Sequence, residues 1–79
     1  MAYDAHSAEL AAAFAHRARR LRLWIDQHYE GNVSSFARSV GKAPSHVHME
    51  LKGRRAFGER LARDLERRAN MPALWLDRE

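Results

Sequence analysis

The chain contains no cysteine among its 79 residues. A disulfide framework, a thiol nucleophile and a cysteine-ligated zinc site are therefore excluded. The sequence also lacks an apolar run near the roughly 18 residues that a membrane-spanning helix needs. Its N-terminus lacks the basic and apolar segments of a signal peptide. We therefore expect a cytoplasmic protein with no membrane partner.

Patterns that carry catalysis or bind metal are missing as well. No nucleophile is paired with a base, and there is no phosphate-binding loop or paired-acid site. The chain has five histidines. The nearest pair, His46 and His48, would point about 200° apart on a helix, so a shared metal ion is not expected. The sequence thus predicts no enzyme, no metal or other cofactor, and no small-molecule substrate.

Basic residues exceed acidic ones, which turns attention to a polyanionic partner. Fourteen Lys and Arg residues oppose ten Asp and Glu residues, giving a net charge of +4. A balance of this kind suits nucleic acid, although many soluble domains carry as much. A hydrophobic content of 46% is enough for a folded core. The length predicts one small domain over residues 1–79.

Apolar spacing predicts an all-α fold of five helices and no strand. Ser7 is expected to cap a long first helix over about residues 8–29, and Asn32 is expected to cap the second. The core stripe of the first helix has spacings of four, seven and four residues, at Leu10, Phe14, Leu21 and Ile25, with Ala18 filling the gap. The predicted short helices cover about 33–40, 44–52 and 58–69, followed by a fifth from Pro72 to about residue 77.

The segment from Phe36 to Val47 has the spacing of a helix-turn-helix. Ala37 is small where two helices would cross closely, and Gly41 suits the left-handed backbone of the turn. Pro44 fits the first turn of the next helix, and Val47 follows one turn later to face the core. In such a unit the second helix enters the DNA major groove. A plain helical hairpin would share these glycine turns and apolar spacings.

The segment Asn32–Gly53, followed by Arg54-Arg55-Ala56-Phe57-Gly58-Glu59, resembles the lambda-repressor-like (Cro/repressor) family of phage and bacterial regulators. The later runs 61–66 and 71–77 resemble the same proteins, so the similarity covers about residues 20–77. It implies a compact five-helix DNA-binding domain that regulates transcription by binding an operator as a homodimer. Glu50 departs from the family pattern, which usually has an apolar residue there. Either Leu51 takes the core role or the recognition helix is rotated.

Two sets of residues are the candidate contacts with double-stranded DNA. The first set would face outward on the recognition helix and contact base edges: Ser45, His46, His48 and Met49. The second set flanks that helix and would contact phosphates: Asn32, Ser34, Lys42, Lys52, Arg54 and Arg55. The basic cluster 17–22 spreads around the first helix, so half of it is expected to face away from DNA. For any single residue, a solvated helix surface is the alternative.

The C-terminal residues Leu74, Trp75 and Leu76 are the predicted dimer interface. A terminal helix this short buries little by itself, so part of it is expected to face a partner. Leu23 and Trp24 on the first helix form the competing surface. An alternative function for the whole chain is a protein-interaction module, such as an antitoxin or a phage protein that binds a host regulator.

Overall fold

A computed structural model describes the backbone of residues 5–53 and 56–79 and the side chains of 8–53 and 56–79. Within these ranges the chain is all-helical and has no strand, as predicted. It has four α-helices and one short 3-10 turn: α1 (Ala5–Tyr29), α2 (Val33–Ser39), α3 (Pro44–Leu51), α4 (Glu59–Arg68) and the C-terminal turn (Trp75–Asp77). None of the described helices is long and apolar enough to cross a membrane.

The predicted fifth α-helix from Pro72 is wrong, because the chain forms only the three-residue C-terminal turn there. Leu74 has a φ of 59°, in the left-handed region, and a right-handed helix cannot continue through it. The amide of Trp75 donates instead to the carbonyl of Pro72 at 3.1 Å. The break lets the Leu76 side chain enter the core, where it is fully buried.

The first helix is longer than predicted. It already includes Ala5, so Ser7 lies inside α1 and the predicted Ser7 cap is wrong. The alanine-rich start explains the extension, because alanine has the highest helix propensity. Leu21 and Ile25 of the predicted stripe are fully buried, whereas Leu10 at its outer end is 40% exposed. All of the predicted stripe except Leu10 therefore lies in the core or packs against it.

The connection between α2 and α3 follows the predicted local chemistry. The side chain of Asn32 accepts a hydrogen bond from the Ser35 amide at 3.0 Å and caps α2. Gly41 has a φ of 72°, and the next amide, that of Lys42, donates to the carbonyl of Ala37 at 2.9 Å. Ala37 is fully buried, as the predicted close packing of α2 requires.

The core lies between α1, α2 and α4 and is closed by single residues from the remaining segments. Those residues are Val40 just after α2, Val47 from α3, Phe57 from the α3–α4 connection, Met71 just after α4 and Leu76 from the C-terminal turn. One charged side chain, Glu66, is also buried at 5% exposure. Its carboxylate accepts a hydrogen bond from the Leu76 amide at 2.9 Å, so α4 binds the C-terminal turn directly.

Candidate nucleic-acid interface

Helix α3 exposes both polar and apolar side chains to solvent. Val47 is its buried residue, and the helical repeat of about 100° per residue turns the neighbouring positions outward. All members of the predicted base-contact set are exposed, namely Ser45, His46, His48 and Met49. Each of these side chains is thus accessible, with His46 and His48 on opposite flanks of the exposed surface.

Helix α3 packs Leu51 and most of Glu50 against the rest of the chain. Leu51 is half-buried and packs against the core. It therefore takes the core role that was one of the two explanations offered for the acidic residue at position 50. Glu50 is also mostly buried, with 11% of its side chain exposed, and it lies 3.4 Å from the ammonium nitrogen of Lys42. Glu50 therefore belongs to the packing between α3 and the α2–α3 turn.

The predicted phosphate-contact residues occupy different environments. Lys52 is exposed at the C-terminal end of α3, and Ser34 is half-buried in the first turn of α2. Asn32 is exposed, but its side-chain oxygen is already used as the α2 cap. Lys42 is paired with Glu50. Arg54 and Arg55 lie outside the described residues.

Arg19 and Arg22 form part of a basic surface that the predicted site set did not include. Both are exposed on α1, and together with Lys52 they line a groove of about 340 Å³ beside the end of α3. Its floor consists of Ala15, Ala18, Leu51 and Gly53. Within the described parts of the chain, these three cations form no hydrogen bond or ion pair through their side chains. In the sequence, the basic groove could have been predicted from the three-residue spacing of Arg19 and Arg22 beside the small, core-facing Ala18.

The remaining arginines of the same cluster have structural partners. Arg17 pairs with Asp77 at 2.6 Å. Arg20 donates to the carbonyl of Trp75 at 3.0 Å and lies over its ring at 3.8 Å. The cluster 17–22 therefore divides in half: Arg17 and Arg20 bind the C-terminal turn, whereas Arg19 and Arg22 face solvent.

The three predicted dimer-interface residues separate in the structure. Leu74 is 52% exposed, whereas Leu76 is fully buried in the core of a single chain. Trp75 is half-buried, with its ring at an edge-on 73° to Trp24 and the ring centres 5.0 Å apart. Leu23, on the competing surface, is 39% exposed. Leu74 and Leu23 are thus the accessible apolar residues of the two candidate surfaces.

In the described residues, no three His, Asp or Glu side chains are grouped closely enough to hold a metal ion. No protein-family model, curated protein or solved structure matches the chain.

Proposed function

We propose that this protein is a helix-turn-helix regulator of the lambda-repressor-like class that binds double-stranded DNA through α3. The observation that carries the proposal is the pairing of two adjacent surfaces. One is the exposed face of α3 with Ser45 and His46 in its first turn. The other is the basic groove of Arg19, Arg22 and Lys52 at the far end of the same helix. A base-reading helix beside free cations is what duplex binding requires.

The exposed side chains of α3 offer specific chemistry to a major groove. Ser45 can donate to or accept from a base, and a His46 ring N–H can donate to a purine N7 or O6. The methyl groups of Met49 and the exposed Ala43 suit thymine C5-methyl groups. Helix α3 has no Arg, Asn or Gln for bidentate contacts. We therefore expect modest specificity, supplemented by water-mediated contacts and DNA shape.

Cations on both sides of α3 would hold the phosphate backbone. Arg19, Arg22 and Lys52 are accessible without breaking an internal ion pair among the described residues. Lys42 contributes less, because Glu50 already neutralises it. These contacts would set the register of α3 in the groove and make affinity strongly salt-dependent.

The proposed regulator acts as a homodimer on an approximately palindromic operator. Two copies of α3 would then enter major grooves about one helical turn, roughly 34 Å, apart. The exposed Leu74 and Leu23 are the apolar residues available for such pairing. Occupying the operator would exclude or recruit polymerase. The burial of Leu76 means that removing the C-terminal turn would damage the core, so dimerisation is better tested by sedimentation of the intact chain.

The test is a binding assay with random-sequence duplexes across a salt series, followed by selection of bound sequences. If about four to six phosphates are neutralised per dimer, log K should fall with log salt at a slope of about −4 to −5. Selection should return a palindrome with half-sites one turn apart. A protein that binds no duplex at low salt contradicts the proposal and favours the protein-interaction module.

A further inference from the structure

The basic groove of Arg19, Arg22 and Lys52 is formed by two elements of the fold. Arg19 and Arg22 lie one turn apart on α1, and Lys52 directly follows α3. Gly53, with a φ of 68°, ends α3 beside α1, where a Cβ on it would lie 3.5 Å from Cα of Ala15. Cations from two separate parts of the sequence are therefore held around one open groove of about 340 Å³.

The described lining of this groove has no acidic side chain. Apart from the cations, it consists of small or apolar residues, namely Ala15, Ala18, Leu51 and Gly53. The carboxylate next along α1 is Asp26, one turn beyond Arg22. Asp26 lies near Gly31 instead, where an added Cβ would be 3.3 Å from its Oδ1. The positive charge of the groove is therefore not neutralised by an ion pair within the described chain.

Like charges that are held together without a counter-charge repel one another. Arg19 and Arg22 are three residues apart on one helix, where side chains are neighbours, so their equal charges oppose each other directly. The end of α3 contributes the negative pole of its dipole, equivalent to about half an elementary charge, which offsets only part of the charge of three cations. An anion that contacts all of them would relieve the repulsion and bind the folded chain preferentially.

A compact phosphate anion suits this arrangement. The planar guanidinium of arginine can form two parallel hydrogen bonds with phosphate oxygens, and the lysine ammonium adds a point charge. Each phosphate of duplex DNA carries one negative charge, whereas a phosphomonoester carries about 1.5–2 at neutral pH. A volume of about 340 Å³ is at the lower end of the range of about 300–1,000 Å³ for ligand pockets. Charge and size together favour a short oligophosphate.

We propose that the basic groove binds a free oligophosphate and that this anion competes with duplex DNA for the same cations. The competition rests on the proposed function, because it concerns affinity for DNA, whereas binding of the free anion does not. An oligophosphate in the groove would remove the contribution of Arg19, Arg22 and Lys52 to phosphate contacts. It would thereby lower occupancy of the operator.

The first experiment is a calorimetric titration of the full chain with inorganic tripolyphosphate at fixed pH and ionic strength. The test variant combines Arg19→Gln with Lys52→Gln. The control combines Arg38→Gln on α2 with Arg60→Gln on α4, and so has the same net charge. Both control residues are exposed and form no hydrogen bond or ion pair through their side chains among the described residues. Circular dichroism checks that each variant is folded, and Arg22→Gln alone replaces the test variant if it is not.

Wild type should bind tripolyphosphate at a single site, and the test variant should bind it about tenfold or more weakly. The control variant should stay within about twofold of wild type, because distant exposed charges are screened. In a second experiment, tripolyphosphate should displace wild type from a random duplex better than sodium chloride does at equal ionic strength. The test variant should show no such difference between the two salts.

The results that would overturn the proposal are distinct for its two parts. Equal losses of tripolyphosphate binding in the test and control variants would show general attraction to a basic protein and remove the site. Absence of binding to wild type would also remove the site, but the proposed function stands if wild type still binds duplex. Displacement of duplex no better than with sodium chloride would show that the competition is wrong. If wild type binds no duplex, the proposed function fails, and calorimetry alone decides whether the groove binds the anion.

Discussion

Helices α3 and α4 are of similar length, eight and ten residues, but they are used in opposite ways. Helix α3 buries Val47 and exposes most of its other side chains. Helix α4 buries Ala62, Leu65 and the carboxylate of Glu66. Much of its charged surface is taken up by ion pairs with its own residues and with Asp77. Helix α3 therefore leaves most of its side chains accessible to solvent, whereas α4 uses both its apolar and many of its charged side chains within the chain.

The comparison shows that charge density along the sequence is a poor guide to where unpaired cations lie. Helix α4 has four arginines, yet Arg63, Arg67 and Arg68 are paired with carboxylates of the same chain. Helix α3 contains no Lys or Arg at all, and the free cations beside it come from α1 and from Lys52. The useful quantity is the number of cations without an internal partner.

The largest effect should come from the core of α4. Leu65→Ala removes a fully buried side chain and should lower the free energy of unfolding by about 2–5 kcal/mol. His48→Ala, on the exposed face of α3, should change it by less than about 0.5 kcal/mol. Urea unfolding of the two variants measures the difference. Equal midpoints would mean that Leu65 is not part of a packed core.

The contact between α2 and its neighbours should tolerate no added volume. Ala37 is fully buried, so Ala37→Leu should destabilise the fold by about 1–3 kcal/mol through overpacking. Ala11→Leu makes the same change at an exposed position of α1 and is the control. Thermal unfolding followed by circular dichroism provides the readout. A melting temperature equal to that of wild type would show that α2 does not pack closely at Ala37.

The first turn of α3 should carry base preference. Ser45→Ala and His46→Ala should each weaken binding to the selected operator by about 1–3 kcal/mol. The same variants should lose less on random duplex, which serves as the internal control. Fluorescence anisotropy with both duplexes gives the comparison. Equal losses on the two would assign these side chains to phosphate rather than to bases.

Removing a free cation should change the salt dependence, whereas removing a paired one should not. Lys52→Gln should make the slope of log K against log salt shallower by about 1. Arg67→Gln removes the same charge from α4, where Arg67 is paired with Asp64, and should leave the slope unchanged. A larger change for Arg67→Gln would place DNA on α4 and reverse the comparison.

The smallest effect is the pH dependence of stability that results from the ion pairs of Asp77 with Arg17 and Arg63. The pKa of Asp77 is lower in the folded chain than its unfolded value of about 3.9. Its contribution is therefore fully present above the unfolded pKa and is lost as pH falls through the folded one. Wild type should lose more stability than Asp77→Asn between neutral pH and about pH 2. Parallel urea midpoints for the two proteins over this range would contradict the prediction.

Local chemistry made much of the fold predictable. Asn32 caps α2, and Gly41, Gly53 and Asn70 take the positive φ values that end helices. These features depend on one residue and its immediate neighbours, which a sequence displays directly. The all-α class and the exposed side chains of α3 could be predicted from the helical spacing of apolar residues.

What was missed depends on partners far along the chain. Arg17 and Arg20 look like members of one basic cluster, but their partners lie sixty and fifty-five residues away, at Asp77 and Trp75. The fifth helix failed for the same reason, because the burial of Leu76 against distant helices outweighed the helical tendency after Pro72. The division between structural and free arginines could not be read from spacing alone.

Both tryptophans of the chain lie in one aromatic cluster, so their absorption reports on the structure around the C-terminal turn. The ring of Trp24 contacts His28 at a centroid distance of 3.9 Å and meets Trp75 edge-on, while the guanidinium of Arg20 lies over the Trp75 ring at 3.8 Å from its centre. Two indoles this close should couple their transitions and produce a near-ultraviolet circular dichroism signal. Undocking of the C-terminal turn should abolish that signal while the far-ultraviolet helical spectrum persists. Spectroscopy on unlabelled protein can thus separate local detachment from global unfolding.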